Sequence, residues 1–389
     1  MSKWQDEGVG GWDTWFTFAS SRPVQVLSRL VGGSIEADVH DVCITGSITE
    51  NLHKLLEAFY LKYACDTRYN VLVTALDFPT DAYAAQALIK RHPNRGGKVH
   101  AVQSEDGNTL DPEDIIKAIT DPDAAICVAL LPTVLFKSGQ LLPIARIAEC
   151  AREHNVALII DAAHSVGCVP HDFDRWGVAA ATWCCYKYLN GGPGCPAGLF
   201  IHREHLPLDN PFKGWFGVQD EEQFKMSHTY KPASGVFAFQ TGTPPILSLA
   251  PLCAVLENVF AEVDILDIRA ASLALNGLFM DLCESRVCNN SQQLFRLITP
   301  RRDQDRGGHV ALAVGPDSSR ALLLSKVLRN EKRIIVDYRP PDVLRFCFTA
   351  LYNTRAEVEE TVRVLQEICG WSETDFQARK SRVQSTLVV

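Results

Sequence analysis

Lys187 lies in a setting that favours a chemical role. It belongs to the stretch WCCYKYLNGGPGCPAG (183–198), where apolar and aromatic residues precede the lysine and a glycine-rich loop follows it. Burying an ammonium group is costly, whereas a lysine in a desolvated pocket becomes a nucleophilic amine suited to Schiff-base formation. Gly191, Gly192 and Gly194 would let the chain turn away without crowding such a pocket. Taken alone, Lys187 is also consistent with a lysine that snorkels at a strand end.

Asp161 and His164 form a second candidate pair, in the stretch LIIDAAHSVG. Asp161 ends an apolar run typical of a buried strand, so its charge must meet a partner or its pKa must shift. A pyridinium nitrogen is one such partner, and keeping that nitrogen protonated makes the ring an electron sink. His164 would pack against the ring or hydrogen-bond one of its substituents. The alternative is an aspartate that caps the following turn, beside a histidine with satisfied hydrogen bonds.

Two further segments carry groups that a phosphorylated aromatic cofactor needs. ITGSITENLHK places Ser47 and Thr49 at a predicted helix start, where backbone N–H groups would cradle a phosphate. LDFPTDAY places Phe78 beside Asp81, so that a flat ring could stack on the phenyl group. The alternatives are an ordinary helix cap by Thr49 and a proline-containing turn whose Asp81 begins the next helix.

The four features together describe one kind of site. Tyr186, directly before the lysine, would donate to a phosphate or relay a proton. A phosphate cradle, a stacking ring, a pyridinium partner and an aldehyde-binding lysine are the parts of a pyridoxal 5′-phosphate site. Their presence in one chain favours this interpretation over the separate structural ones.

The elements that must position these groups follow a regular alternation between residues 40 and 205. Continuous apolar runs alternate with amphipathic ones, which predicts a largely parallel sheet covered by helices on both faces. The predicted strands are 70–75, 98–103, 124–131, 156–161, 179–185 and 197–202, and the predicted helices are 49–64, 81–92, 111–119 and 143–154. In such α/β sheets ligands bind beyond the carboxyl ends of the strands, where the four features fall.

The character of the sequence changes after a predicted loop and long helix at 241–263. Strands at 309–315 and 344–353 and helices at 318–331 and 355–370 predict a smaller α/β domain. We therefore expect four parts: an amino-terminal segment (1–30), a large cofactor-binding domain (31–265), a small domain (266–375) and a polar tail (376–389).

Composition narrows the functional classes. The 389-residue chain carries a net charge of −8, spread along its length, which argues against a nucleic-acid surface. Its 13 cysteines include no CxxC pair and mostly lie in apolar runs, which indicates neither a disulfide framework nor a metal site, and favours a reducing compartment. The sequence has no signal-peptide pattern and no run of 18 apolar residues, so we expect a cytoplasmic protein without a membrane role.

The cofactor segment closely resembles that of kynureninases, within the class V, fold-type-I family of pyridoxal-phosphate enzymes. The run YKYLNGGPG is specific to that family, whereas the wider D-x-A-H…K pattern is shared with cysteine desulfurases. The resemblance continues through FPTDAY, GWFG, GTPPILSL and LRFCFTALYNT, and so covers most of the chain. It implies a large domain with a mostly parallel seven-stranded sheet sandwiched by helices, plus a smaller carboxyl-terminal α/β domain.

The resemblance also implies a role for individual residues. Lys187 would be the Schiff-base lysine, Tyr186 a phosphate ligand and candidate proton shuttle, and Asp161 the partner of the pyridine nitrogen. His164 would lie beside the ring, and Phe78 would stack on it. The remaining cofactor contacts would be made by Ile48, Thr49, Thr80 and Asp81. The resemblance further implies that Trp215 and Thr243 reach the phosphate of the partner subunit, in a homodimer with its active sites at the subunit interface. Arg345 would bind the α-carboxylate of the substrate.

The activity implied is hydrolysis of the Cβ–Cγ bond of L-kynurenine or 3-hydroxykynurenine. Kynureninases begin with a further segment that carries a YLDGNSLG-like motif, and this chain is expected to lack it. Two alternatives remain open. One is another class V activity, such as a lyase, an epimerase or a cysteine desulfurase. A desulfurase would need a catalytic cysteine, and Cys195, close to Lys187 in sequence, is the candidate. The other is a binding protein without catalytic activity.

Overall fold

The computed structural model describes residues 2–13, 22–33, 40–289 and 293–385. The chain divides into two compact units, which are described separately below. The first comprises Met1–Val134 and Leu142–Ile265, and the second comprises Leu135–Leu141 and Leu266–Val389. The limits of the four parts expected from the sequence stay a prediction.

A seven-stranded sheet forms the centre of the first unit. Its strands are β1 (Val42–Ile44), β2 (Asn70–Thr74), β3 (Val99–Val102), β4 (Ile126–Pro132), β5 (Ala157–Asp161), β6 (Ala180–Cys184) and β7 (Ala197–Ile201). They lie in the order β1-β7-β6-β5-β4-β2-β3. β7 runs antiparallel to β6 and β1, whereas β6, β5, β4, β2 and β3 are parallel to one another. Every residue of β4 and β5 is buried, as a covered parallel sheet requires.

Helices connect these strands and begin where local sequence signals indicate. The helices of the first unit are α1 (Ser2–Glu7), α2 (Arg22–Val31), α3 (Ile48–Tyr63), α4 (Pro79–Arg91), α5 (Pro112–Thr120), α6 (Ile144–Glu153), α7 (Phe173–Trp176) and α8 (Ile246–Val255). Proline occupies the first position of α4 and of α5, where its missing N–H costs no helical hydrogen bond. The predicted mostly parallel seven-stranded α/β architecture is confirmed.

The second unit contains a smaller, antiparallel sheet. Its strands β8 (Phe295–Leu297), β9 (Val310–Val314), β10 (Asp337–Arg339) and β11 (Val343–Phe346) lie in the order β10-β11-β9-β8. Its helices are α9 (Ile265–Cys283, whose first residue belongs to the first unit), α10 (Ser319–Lys332), α11 (Arg355–Cys369) and α12 (Glu373–Ser385).

One expectation for the second unit was wrong in detail. The strand predicted at 344–353 ends at Phe346, after which the chain forms turns. Helix α12 includes the described part of the segment expected as a polar tail, and its Phe376 is buried with its ring edge to face against Trp371, 5.5 Å between centroids. Burial of these aromatic rings stabilises the helical conformation of an otherwise polar segment.

No single helix in the described ranges is long and apolar enough to cross a membrane; Ile246–Phe260 and Ile265–Cys288 reach that length only as a bent pair.

Candidate active site

Lys187 lies just beyond the carboxyl end of β6 and contacts His164. Its Nζ atom is 3.0 Å from Nε2 of His164, which belongs to the turn that follows β5. The lysine side chain is half-buried. After the lysine, Gly192 and Gly194 adopt φ angles of 82° and 76°, a left-handed conformation that favours glycine. The glycines therefore turn the chain away from the lysine, as the sequence predicts.

Asp161 ends β5, the strand beside β6, so its carboxylate lies at the same edge of the sheet as Lys187. The side chain is 8% exposed, and its Oδ1 atom accepts a hydrogen bond of 2.8 Å from the backbone N–H of Ala163. Burial raises the pKa of Asp161, and the hydrogen bond from Ala163 and the ammonium group of Lys187 oppose that rise. A buried acid beside the lysine is thus present where the sequence predicts one.

Two more carboxyl groups lie near Asp161. Asp81, in the first turn of α4, is 1% exposed, and its pKa is raised well above the usual range, first by burial and then by Asp161 and Asp77. Asp77 follows β2 and accepts hydrogen bonds from the backbone N–H and the hydroxyl of Thr74, at 2.8 and 2.5 Å. Burial raises the pKa of Asp77 to about 7.

Asp77 is a candidate that the sequence analysis missed. The available signal was its position three residues after the end of the buried strand β2, similar to the position of Asp161 as the last residue of β5. Three carboxyl groups and the amine of Lys187 therefore share this end of the sheet. Such a cluster has more potential negative than positive charge, which favours binding of a further cation or retention of protons.

The amino terminus of α3 is capped by Ser47 and not by Thr49. The Ser47 hydroxyl accepts from the backbone N–H of Glu50 at 3.3 Å, and the Glu50 carboxylate accepts from the backbone N–H of Ser47 at 2.6 Å. This reciprocal arrangement is a capping box. Ile48 and Thr49 are then the first two helical residues, whose N–H groups have no partner within the helix. Thr49 is exposed.

Tyr186 and Phe78 present aromatic surface to solvent. Tyr186 is 48% exposed, and its hydroxyl oxygen accepts a hydrogen bond of 3.1 Å from the thiol of Cys184. Partial burial and the neighbouring Cys184 raise the pKa of Tyr186. Phe78 immediately precedes α4 and is 42% exposed, and Thr80 lies in the first turn of that helix.

Trp215 and Thr243 lie on the long segment that follows β7. Trp215 is 41% exposed, with its ring edge to face against Phe224 at 6.1 Å, and Thr243 is exposed. Lys54 of α3 contacts the segment just before Thr243. Its Nζ atom donates hydrogen bonds to the carbonyl oxygen of Phe239 and to the hydroxyl of Thr241, at 3.2 and 3.3 Å.

Arg345 lies on β11 and therefore belongs to the second unit.

The cysteines near Lys187 are packing residues. Cys184 and Cys185 are buried, as expected. Cys195 is also buried, and its thiol interacts with that of Cys185. A desulfurase needs an accessible cysteine on a mobile loop, so the burial of Cys195 argues against that alternative.

Two family models match parts of the chain. Residues 268–365 match the model of the kynureninase C-terminal domain. Residues 37–183 match the model of the DegT/DnrJ/EryC1/StrS aminotransferase family.

Similar proteins extend over nearly the whole chain. A kynureninase from Geobacillus thermodenitrificans (strain NG80-2) is 39% identical over 95% of this chain and 83% of the relative. A kynureninase from Bacillus anthracis is 36% identical over the same shares.

Solved structures share the fold at lower identity. A cystine C–S lyase in complex with its product cysteine persulfide superimposes with a TM-score of 0.76, at 19% identity, over 94% of this chain and 91% of that one. A cysteine desulfurase from Thermococcus onnurineus NA1 gives 0.72, at 18% identity, over 89% and 82%. The fold-type-I architecture expected from the sequence is therefore confirmed.

Proposed function

The chain belongs to the kynureninase family, and on that premise we propose that it hydrolyses the Cβ–Cγ bond of L-kynurenine or 3-hydroxykynurenine. One water molecule is consumed for each bond broken. The products are L-alanine and anthranilate, or 3-hydroxyanthranilate from the hydroxylated substrate. The observation that carries this proposal is the contact of Lys187 with His164, beside Asp161, the buried acid at the end of β5.

The residues present fit pyridoxal 5′-phosphate as the cofactor. The carboxyl cluster of Asp77, Asp81 and Asp161 is short of positive charge, and a protonated pyridine nitrogen facing Asp161 would supply it. The capping box leaves the N–H groups of Ile48 and Thr49 available for a phosphate. Bound pyridoxal phosphate would supply an aldehyde for Lys187 and an electron sink for the substrate.

Each nearby side chain then has a task of its own. Lys187 would take up the proton from Cα of the amino acid at its Nζ atom, and His164, 3.0 Å away, would hold that amine in place.

Asp161 would keep a ring nitrogen protonated, and Phe78 would offer its exposed face for stacking. Thr80 and Asp81, in the first turn of α4, would complete the cofactor contacts next to Phe78. Tyr186 would bind the phosphate or transfer protons in the later steps of the reaction.

We propose that Arg345 binds the α-carboxylate of the substrate. A guanidinium offers two parallel N–H donors to a carboxylate, and that geometry favours amino acids over the corresponding amines.

We further propose a homodimer in which Trp215 and Thr243 complete the phosphate site of the partner subunit. The exposure of both side chains in the single chain supports this assignment. Mixing Lys187→Ala protein with Trp215→Ala protein tests it, since a hybrid dimer would contain one intact site. Recovery of activity on mixing is expected, and no recovery despite demonstrated subunit exchange would contradict the assignment. The 13 cysteines, eight of them buried, also support a reducing, cytoplasmic location.

Spectroscopy and product analysis test the main proposal. The purified protein is expected to show the visible absorption band of a lysine-bound pyridoxal cofactor, and Lys187→Ala is expected to lose the band and all activity. Lys90→Ala, at an exposed position of α4, is the matched control and should keep both. Addition of L-kynurenine should release fluorescent anthranilate and equimolar alanine. A missing band in the unaltered protein would refute the cofactor, whereas a band without either product would refute the substrate alone.

A further inference from the structure

Arg345 is held by two acceptors within the second unit. The carbonyl oxygen of Phe136 accepts a hydrogen bond from Nη1, and the carboxylate of Asp337 accepts one from Nη2. The arginine side chain is 10% exposed. A planar guanidinium fixed at both terminal nitrogens cannot rotate freely, so its other N–H groups keep one direction.

The pairing of Arg345 with Asp337 is built into the sheet. In the antiparallel register of β10 and β11, Asp337 lies directly opposite Arg345. Residues opposite one another project from the same face of the sheet, with their Cβ atoms close together. The carboxylate therefore needs no long or flexible side chain to reach the guanidinium.

Asp337 also serves a second guanidinium. Its Oδ2 atom accepts a hydrogen bond of 2.8 Å from Nη2 of Arg339, whose guanidinium carbon lies 5.8 Å from the ring centroid of Phe136. One carboxylate therefore contacts the guanidiniums of both Arg345 and Arg339.

We propose that Asp337 is a positioning residue that aims the guanidinium of Arg345 at the substrate's α-carboxylate. This inference rests on the proposed function, because it takes Arg345 as the carboxylate ligand. If Asp337 only balanced charge, the opposite result would be expected for binding: removing its negative charge beside Arg345 and Arg339 would make this cluster attract a carboxylate more strongly.

The test compares two ligands that differ only in the carboxylate. Binding of L-kynurenine and of its decarboxylated amine is measured to the cofactor-loaded enzyme, before and after the substitution Asp337→Asn. The preference for the carboxylated ligand is expected to fall by between roughly tenfold and the roughly hundredfold that a displacement of about 1 Å can cost. KM should rise while kcat changes less, and cofactor affinity measured by absorbance titration should stay the same. Arg339→Gln is the matched control, because it removes a partner of Asp337 but leaves both acceptors of Arg345 in place, and it should keep the preference.

Each other outcome overturns a definite part of the reasoning. An unchanged or increased preference in Asp337→Asn, with Arg345→Met losing roughly thirtyfold or more, would refute the positioning role and leave Arg345 as the carboxylate ligand. A preference that survives in Arg345→Met would refute the assignment of Arg345 itself. If Asp337→Asn fails to bind cofactor, Asp337→Glu gives the same comparison, since it keeps the charge and moves its position.

Discussion

Replacing Asp77 with asparagine is expected to stabilise the cofactor-free protein at neutral and alkaline pH. Burial raises the pKa of Asp77 from its ordinary value of 3.8 to about 7 in the folded protein. The folded state therefore binds a proton that the unfolded state has already released between those two pH values. By linkage, stability falls as the pH rises through that window and levels off above pH 7.

The size of the effect follows from the width of the window. A difference of about three pH units corresponds to a cost of up to about 4 kcal/mol for the ionised side chain, at roughly 1.4 kcal/mol for each unit. Asparagine resembles the protonated acid and avoids this cost, but it weakens one of the two hydrogen bonds from Thr74, worth about 1–2 kcal/mol. Asp77→Asn should thus gain about 2 kcal/mol at pH 8 and little or nothing near pH 4.5.

Urea denaturation of the cofactor-free protein at several pH values measures this difference. Asp106→Asn serves as the control of opposite sign, because hydrogen bonds from Thr109 and Asn108 outweigh burial and lower the pKa of Asp106. That variant should be less stable than the parent at neutral pH, and the loss should vanish in acid. A stability difference for Asp77→Asn that does not change with pH, or a loss at pH 8, would refute the reasoning about the carboxyl cluster.

Two further substitutions test the elements that support the site. Ser47→Ala removes the cap of α3 and should cost about 1 kcal/mol in urea unfolding, whereas Thr49→Ala should cost clearly less; equal losses would contradict the assignment of the cap. Gly198→Ala should cost about 1–3 kcal/mol, because a Cβ atom there would lie 2.1 Å from the indole ring of buried Trp183. Thermal denaturation measures it, and an unchanged melting temperature would show that the ring can move aside.

Much of the first unit could be predicted because its signals are local. Continuous apolar runs marked strands β2 to β7, and each prediction differs from the observed strand by a residue or two. Parallel strands bring their carboxyl ends to one edge of a sheet, so the sequence alone predicts that Asp161 and Lys187 lie close together. The capping box of Ser47 and Glu50 was equally local, but Thr49 at the second helical position offered a competing hydroxyl.

The second unit was harder to predict because its signals are short. β8 and β10 contain three residues each, too few for an alternating pattern to show. Helix α12 has little apolar content of its own and folds around Phe376, whose burial depends on residues from elsewhere in the unit.

The sequence by itself determined the identity of the reactive groups: a lysine before a glycine-rich turn, an aspartate at the end of a buried strand, and the pattern that they form together. Only the tertiary structure decided the state of those groups. The raised pKa of Asp77 depends on the burial and nearby charge that folding creates, and the pairing of Arg345 with Asp337 depends on a register between two short strands. Residue type and spacing are properties of the linear sequence. Burial, the charges near a group and the register of strands depend on segments that only folding brings together.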